Sequence, residues 1–432
     1  MATTQMVIQG ARIVDPSQHW DDVGNIYIEN GVVHHLSCGE LEAGWENAQI
    51  VKAQGLYAAP GFVDIHVHLR DPGFTYKEDI FTGSRAAAAG GVTSVVCMPN
   101  TKPVVDTPEV VSYIIDKASK ADCHVYPVAT ITKGMKGEEL SDFDALKAAG
   151  AVAVSDDGRP VANARLMQQA MELCMDKGIV VASHCEDLNI IHGGIIHKGA
   201  VSQKLGVPGM DRSSEDSVTA REIALAAATG TKIHICHVST KGSVEWIRDA
   251  KARGVKVTAE TAPHYFMMTD QLLLKEDADY RMNPPLREEA DRMAILEAVR
   301  DGVIDVIATD HAPHSPEEKA DFRKAPNGIV GLETSFAACM TSLVHPGIIS
   351  LYGLVERMST LPAKIMQLPA GTLKPGAAAD VVLFDPQESW TVDPQALRSK
   401  ARNTPFKGMT LKGRVKMTVL SGRTVFDIRY KK

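Results

Sequence analysis

The chain has 432 residues, with 46 Lys plus Arg against 53 Asp plus Glu, a formal charge of −7 spread along its length. That mild acidity argues against a nucleic-acid or anionic-membrane binder, whose electrostatic footprint would be basic. Hydrophobic residues at 44% and charged residues at 23% are globular proportions, which excludes disorder, collagen and coiled coil as descriptions of the whole. Seven scattered cysteines, odd in number and never in a CxxC spacing, point to neither a disulfide framework nor a zinc ribbon. Most lie in apolar runs such as Val95-Val96-Cys97-Met98, where a reduced thiol serves as a small hydrophobe. The first residues carry no basic region followed by an apolar run, and the apolar stretches are broken well short of a membrane span. The expectation is a soluble protein of the reducing cytoplasm.

Residues 1–58 read as short strands at 6–8, 11–14, 25–28 and 32–35, with Gly10 and Asn30-Gly31 as turn signals. From Pro60 the texture changes to short apolar runs alternating with longer amphipathic, Ala-rich segments, the pattern of repeated βα units. Strands are expected at 62–68, 93–98, 124–129, 151–155, 179–183, 232–237, 256–260 and 305–309. Helices are expected at 79–89, 108–119, 166–177, 213–228, 243–253 and 288–301. Eight such repeats over roughly 300 residues predict a (β/α)8 TIM barrel, with a doubly wound sheet as the alternative that periodicity alone leaves open. After Pro369 the strand-and-turn texture returns at 379–384, 414–420 and 422–426. The predicted organisation is therefore a barrel over 59–368 and a small composite β-sandwich domain built from 1–58 and 369–432.

The sharpest chemical signal is Asp64-Ile65-His66-Val67-His68 at the end of the first expected strand. Residues i and i+2 of a strand project to one face, so His66 and His68 can offer two imidazoles to one metal. Barrel active sites form at the C-terminal ends of the strands, and the same rule selects further residues. Ser155-Asp156-Asp157 ends the fourth strand, His184 follows the fifth, His237 ends the sixth and Asp310 follows the eighth. An isolated buried histidine is usually a hydrogen-bonded core residue, and an aspartate after a strand is usually a helix cap. Four histidines and two aspartates at successive strand ends converge too often for that explanation.

Imidazole and carboxylate donors without thiolate suit Zn²⁺, with Mn²⁺ or Co²⁺ as substitutes. Six ligands exceed what one open catalytic zinc uses, so a binuclear site is expected. His66, His68 and Asp310 would hold one ion, His184 and His237 the other, with the carboxylate of Asp156 or Asp157 bridging. Two cations together acidify a water and polarise a carbonyl, which equips a site to hydrolyse an amide. His234, on the other side of its strand, is read as structural, while His19, His34, His35, His192, His197 and His345 are read as surface residues.

The runs Gly61-Phe62-Val63-Asp64-Ile65-His66-Val67-His68-Leu69-Arg70, Met98-Pro99-Asn100-Thr101, His234-Ile235-Cys236-His237-Val238-Ser239-Thr240, Asn283-Pro284-Pro285-Leu286-Arg287, Ala308-Thr309-Asp310-His311-Ala312-Pro313-His314 and Gly331-Leu332-Glu333-Thr334 together resemble the dihydroorotases of the amidohydrolase superfamily, specifically the longer bacterial class I type. The resemblance covers residues 6–426. It implies zinc-dependent interconversion of N-carbamoyl-L-aspartate and L-dihydroorotate, the third step of de novo pyrimidine synthesis. By position it makes Arg70, Asn100 and His314 holders of the substrate carboxylate and Asn283 a contact to the ring. Arginine offers a planar fork suited to a carboxylate; the bland alternative for Arg70 is an ion pair with Asp71 or Glu78. In the mechanism this implies, an activated water attacks the ring amide, and Asp310 takes its proton and delivers it to the departing ring nitrogen.

Two departures from the wider superfamily stand out. Many relatives bridge the metals with a carboxylated lysine at the fourth strand, whereas this chain has Ser155-Asp156-Asp157. Class I dihydroorotases look similar in using an aspartate there, and motif position favours Asp157. Second, relatives often carry an aromatic before the glycine of Pro326-Asn327-Gly328; Gly328 itself can still approach the substrate closely. The long charged stretch 311–329 reads either as a lid or as a solvated excursion.

Two rivals remain at this level. A hydantoinase or allantoinase acting on related cyclic ureides is disfavoured because an uncharged ring gives Arg70 nothing to bind. A non-catalytic dihydroorotase-like scaffold for aspartate transcarbamoylase is disfavoured because all six metal-ligand candidates are present. Family resemblance further implies a homodimer and allows association with aspartate transcarbamoylase; no membrane or nucleic-acid partner is expected.

Overall fold

A computed structural model describes residues 4–429. Its centre is a barrel of eight parallel strands, in chain order Phe62–Val67, Val92–Cys97, His124–Ala129, Ala153–Val154, Val180–Ser183, Ile233–Ile235, Val257–Thr261 and Val306–Ile307, each paired with the next. A parallel bridge from Val67 to His311 joins the last strand to the first. The first two strands are buried at every residue, as expected of a parallel sheet covered on both faces. Val63, Ile65, Val96, Val128, Val180 and Val306 pack with Met366 in one apolar cluster.

The helices begin and end where local chemistry supplies partners for free backbone groups. Asp79 and Thr82 form a reciprocal capping box on Ile80–Ala89, satisfying amides that have no partner within the helix. Asn163 caps Ala164–Lys177, and Gly178, at φ 64°, closes it in the left-handed conformation glycine tolerates best.

Both ends of the chain meet in a second eight-stranded sheet. Its order is Arg423–Asp427, Thr410–Leu420, Val381–Thr391, Tyr57–Pro60, Gln5–Asp15, Trp20–Glu29 and Val32–Ser37, with Gln49–Lys52 also pairing with Gln5–Asp15. Ile8, Ile13, Ile26, Val381, Leu383 and Val419 share one apolar cluster, so the composite unit has a core of its own. Gly10 is not a turn between two strands. It is a bulge within the single strand Gln5–Asp15, at φ 75° with its amide donating to Asn25 Oδ1 at 3.0 Å. A glycine bulge and a glycine turn carry the same sequence signal.

The sixth and eighth barrel strands end earlier than the apolar runs predict, and the reason lies in the backbone. His237 has φ 33°, a left-handed geometry incompatible with strand pairing, and near the end of the eighth strand the Thr309 amide donates to Asp64 Oδ1 at 3.2 Å instead of to the ladder. Besides the short helices Phe143–Ala149 and Pro263–Met267, two longer helical regions lie outside the expected elements. One is the excursion containing Leu188–Ile191, Ala200–Leu205 and the two-strand pair Ile196–His197 with Gly209–Met210. The other is the helical stretch from Ser335–Cys339 through Leu361–Ile365. Among the described residues no helix is long and apolar enough to cross a membrane.

Candidate metal centre

His66, His68, Asp157, His184, His237 and Asp310 come from five different strand ends and converge on one point at the C-terminal mouth of the barrel. Asp157 lies at its middle. Its Oδ1 is 3.4 Å from His66 Nε2, 3.4 Å from His184 Nδ1 and 3.6 Å from His237 Nε2, while its Oδ2 is 3.5 Å from His68 Nε2. Asp310 Oδ1 approaches His68 Nε2 at 3.2 Å and His66 Nε2 at 3.7 Å. All six are buried. Arg70, His237 and Asp310, at φ 60°, 33° and 48°, hold left-handed backbones without being glycine, and such strain gathers at functional sites.

Asp156 faces the other way. Its Oδ1 accepts the amides of Ile131 and Thr132 at 2.8 and 3.2 Å, and its Oδ2 accepts the Thr132 hydroxyl. It ties the fourth strand to the third and takes no part in the cluster.

The chemistry of the donor set fits a cation. His66 Nε2 and Asp157 Oδ1 are buried without a hydrogen-bond partner, an arrangement costly enough to call for one. Two overlapping triads, His66–His68–Asp157 and Asp157–His184–His237, each bring their ligand atoms within 4.8 Å of one another, so one carboxylate serves both groups. Burial alone would push the Asp157 carboxyl up; the imidazoles packed against it, His66 foremost, hold it well below its usual range.

Three of the four imidazoles are oriented from behind, as metal-binding histidines are. His66 Nδ1 meets Glu260, His68 Nδ1 meets Asn100 Oδ1 at 2.9 Å, and His184 Nε2 meets Glu186 at 3.0 Å. Glu186 in turn accepts from Asn283 Nδ2 at 2.9 Å, leaving Asn283 Oδ1 buried without a partner. Neither Glu260 nor Glu186 stands out in the sequence as a candidate site residue. The strand-end rule applied to the seventh strand finds Glu260, and Glu186 lies two residues past His184. His264, just after the same seventh strand, is also buried with both ring nitrogens unpartnered.

Arg70 extends from the first strand's end toward the loop at 311–329. Its Nε donates to Pro313 O at 3.2 Å and its guanidinium reaches His314 Nε2 at 3.3 Å. Asp71 is engaged by Lys117 at 2.7 Å and Glu78 faces His311 at 3.5 Å; among the described residues Arg70 has no ion pair. His314 Nε2 donates to Asn327 O at 2.9 Å and its Nδ1 accepts from Lys77 at 3.2 Å. Burial and the charges of Arg70 and Lys77 push the His314 imidazolium down to about 3, so the ring is neutral. Gly328 sits against it at φ 144°, where an added Cβ would lie 2.6 Å from Ala312 O and 3.0 Å from the His314 ring.

The stretch 311–329 is tied down at several points, while Pro316, Glu317, Ala320, Asp321, Arg323 and Lys324 in its middle are exposed. Lys319 Nζ donates to the carbonyls of Arg281, Pro326 and Gly328 at 3.2, 3.0 and 3.0 Å, and Glu318 pairs with Lys77 at 2.8 Å. The surface reading of His197 needs correction: its ring is buried between Arg287 at 3.2 Å and Arg212 at 3.1 Å. Burial and the Arg287 charge push it down to about 4. It lies in the excursion without periodicity.

A parallel eight-stranded barrel with an HxH after its first strand and His and Asp at later strand ends defines a cyclic-amidohydrolase type of molecule. The structure is similar to L-hydantoinase (dihydropyrimidinase) from Arthrobacter aurescens, with a TM-score of 0.87 and 25% identity over 98% of this chain and 96% of that one. It is also similar to D-hydantoinase from Bacillus sp. AR9, with a TM-score of 0.85 and 26% identity over 98% and 95%. In sequence, dihydroorotase from Geobacter metallireducens is 51% identical over 98% of this chain and 99% of its own length. Dihydroorotase from Trichlorobacter lovleyi is 49% identical over 98% and 100%. A family model described as dihydro-orotase-like matches residues 55–243. The chain belongs to the dihydroorotase family.

Proposed function

We propose that this chain is a zinc enzyme interconverting L-dihydroorotate and N-carbamoyl-L-aspartate, the ring closure of pyrimidine synthesis. His66, His68, Asp157, His184, His237 and Asp310 would hold two zinc ions, with Asp157 shared between them. Bound zinc acidifies water and polarises the amide carbonyl. The remaining work falls to side chains. Asp310 accepts the proton released on attack and delivers it to the departing ring nitrogen, and receives the ureido proton in the reverse direction. Arg70, Asn100 and the neutral His314 bind the substrate carboxylate. The unpartnered Asn283 Oδ1 accepts a ring N–H, and Gly328 lets backbone approach the ring where any side chain would collide.

The observation that carries this reading is Arg70: a partly buried guanidinium two residues past His68, held by Pro313 O and beside His314, with no ion pair among the described residues. Hydantoin and allantoin bring no carboxylate to that fork, whereas dihydroorotate does. The test is loss of L-dihydroorotate followed by ultraviolet absorbance on zinc-loaded protein, before and after chelation, with hydantoin and allantoin as competitors. Metal-dependent turnover of dihydroorotate alone is expected. Turnover of hydantoin at a similar rate would overturn the substrate assignment, and absence of any turnover with metal bound would favour the scaffold reading.

A further inference from the structure

Glu260 lies at the C-terminal end of the seventh barrel strand, fully buried, and three groups converge on its two oxygens. Oε1 is 2.5 Å from His66 Nδ1 and accepts the backbone N–H of His237 at 3.3 Å. Oε2 is 3.1 Å from His234 Nε2, whose Nδ1 is 2.9 Å from Thr258 Oγ1. A single carboxylate thus touches strands one and six, which supply ligands to both halves of the metal centre.

The consequence for His66 is a choice of tautomer. A carboxylate can only accept, so Nδ1 carries the proton of the neutral ring, and Nε2 is then its lone pair. That Nε2 is the atom facing Asp157 and Asp310, and it has no protein partner. The consequence for His237 is backbone geometry. Its φ of 33° is unfavourable for a histidine, and Glu260 holds the amide of that strained residue, fixing where its ring enters the centre.

We infer that Glu260 is a positioning residue for both metal positions at once, setting the ring proton of His66 and the backbone of His237 so that their Nε2 atoms present lone pairs to the ions. This rests on the metal-centre reading proposed above and adds to it a carboxylate that stands behind the ligand rings, on the Nδ1 side of His66. Thr258 and His234 complete the chain of donors behind it. His234 thereby occupies the second oxygen, so that the carboxylate cannot turn away from His66.

The experiment reads zinc itself. Wild type, Glu260→Gln and Glu260→Met are stripped of metal and titrated with zinc against a chromophoric chelator, and the thermal midpoint of each metal-free protein is recorded separately. Methionine keeps the length and removes both acceptors; zinc affinity is expected to fall about 10- to 100-fold. Glutamine keeps one acceptor and makes the two histidines compete for it, so an intermediate loss is expected. Methionine leaves three buried donors without an acceptor, so its metal-free midpoint is expected to fall as well; glutamine keeps one acceptor, and its metal-free midpoint should change less. Unchanged zinc affinity in both variants would overturn the inference, as would a large fall in the metal-free midpoint with affinity preserved, the mark of a purely structural residue. If Glu260→Met does not fold, Glu260→Gln carries the same comparison. Wild-type protein that binds no zinc would instead remove the metal-centre reading itself.

Discussion

His68 and Asn100 meet through Nδ1 and Oδ1 at 2.9 Å, while the opposite nitrogen of His68 faces Asp310 at 3.2 Å. Asn100 therefore has two duties that its sequence position does not separate. Its oxygen orients an imidazole of the cluster, and its amide nitrogen lies 3.4 Å from Asp157, at the edge of the site. The two duties can be pulled apart by choice of substitution. Asn100→Asp keeps an acceptor for His68 but sets a negative charge beside the substrate carboxylate; zinc content should persist while KM rises by about 10-fold or more. Asn100→Ala removes both, and zinc affinity should fall by about 10-fold as well. Equal zinc affinity in the two variants would show that the His68 contact contributes nothing.

Arg70 should set the preference for an anionic ring. A charge-assisted hydrogen bond is worth about 1.5–3 kcal/mol, so Arg70→Met should lower kcat/KM for dihydroorotate by about 10- to 100-fold. Arg70→Lys should recover only part of that, since an ammonium lacks the bidentate fork. The informative comparison is with uncharged dihydrouracil, tested as a weak substrate or inhibitor. Its affinity should be unchanged or improved in Arg70→Met, and a parallel loss for both compounds would place Arg70 in support of the loop through Pro313 instead.

Asp310 combines a left-handed backbone, burial and contact with two imidazoles. Burial pushes its carboxyl up, yet the neighbouring imidazoles, His68 foremost, leave it below its ordinary value. Asp310→Asn keeps the shape and one ligand oxygen but cannot carry the proton. Turnover should fall by about 10²- to 10⁴-fold with zinc still bound when measured by metal analysis. Near-full activity would move the proton transfer to another group.

The parts of this centre legible in the sequence are those that obey a rule of position. His66 and His68 follow from the two-residue repeat of a strand, and Asp157, His184, His237 and Asp310 from their place at strand ends. Spacing could not separate Asp156 from Asp157, because neighbouring residues past a strand differ only in which way the backbone turns; the amides of Ile131 and Thr132 capture one and leave the other. Glu260 obeys the same rule but reads as an ordinary buried-strand acid until His66 and His237 are seen on its two sides. His197 and the excursion around it are illegible for the opposite reason: its two-residue strands and short helix carry no period, and its histidine is buried by arginines from elsewhere in the chain. Gly10 shows the limit of turn signals, since left-handed glycine marks bulges and turns alike.

Away from the site, Glu333 offers a stability test with a definite sign. Its Oε1 accepts the amides of Arg398 and Ser399 at 2.7 and 3.0 Å, joining the barrel to the C-terminal segment. Burial raises its carboxyl from 4.5 to about 7, against the opposing pull of those two amides. Between these values the folded chain binds a proton that the unfolded chain has released, so stability from this group falls as pH rises through the window and is constant above it. Glu333→Gln keeps the accepting oxygen and removes the titration. Relative to wild type, the variant should therefore gain stability between about pH 5 and about pH 8, by up to about 3 kcal/mol. Thermal unfolding of both proteins at the two pH values measures the change, and all other titrating groups cancel in the difference. A variant-minus-wild-type offset that is the same at both pH values would mean that Glu333 is ionised throughout, with its two amides outweighing its burial.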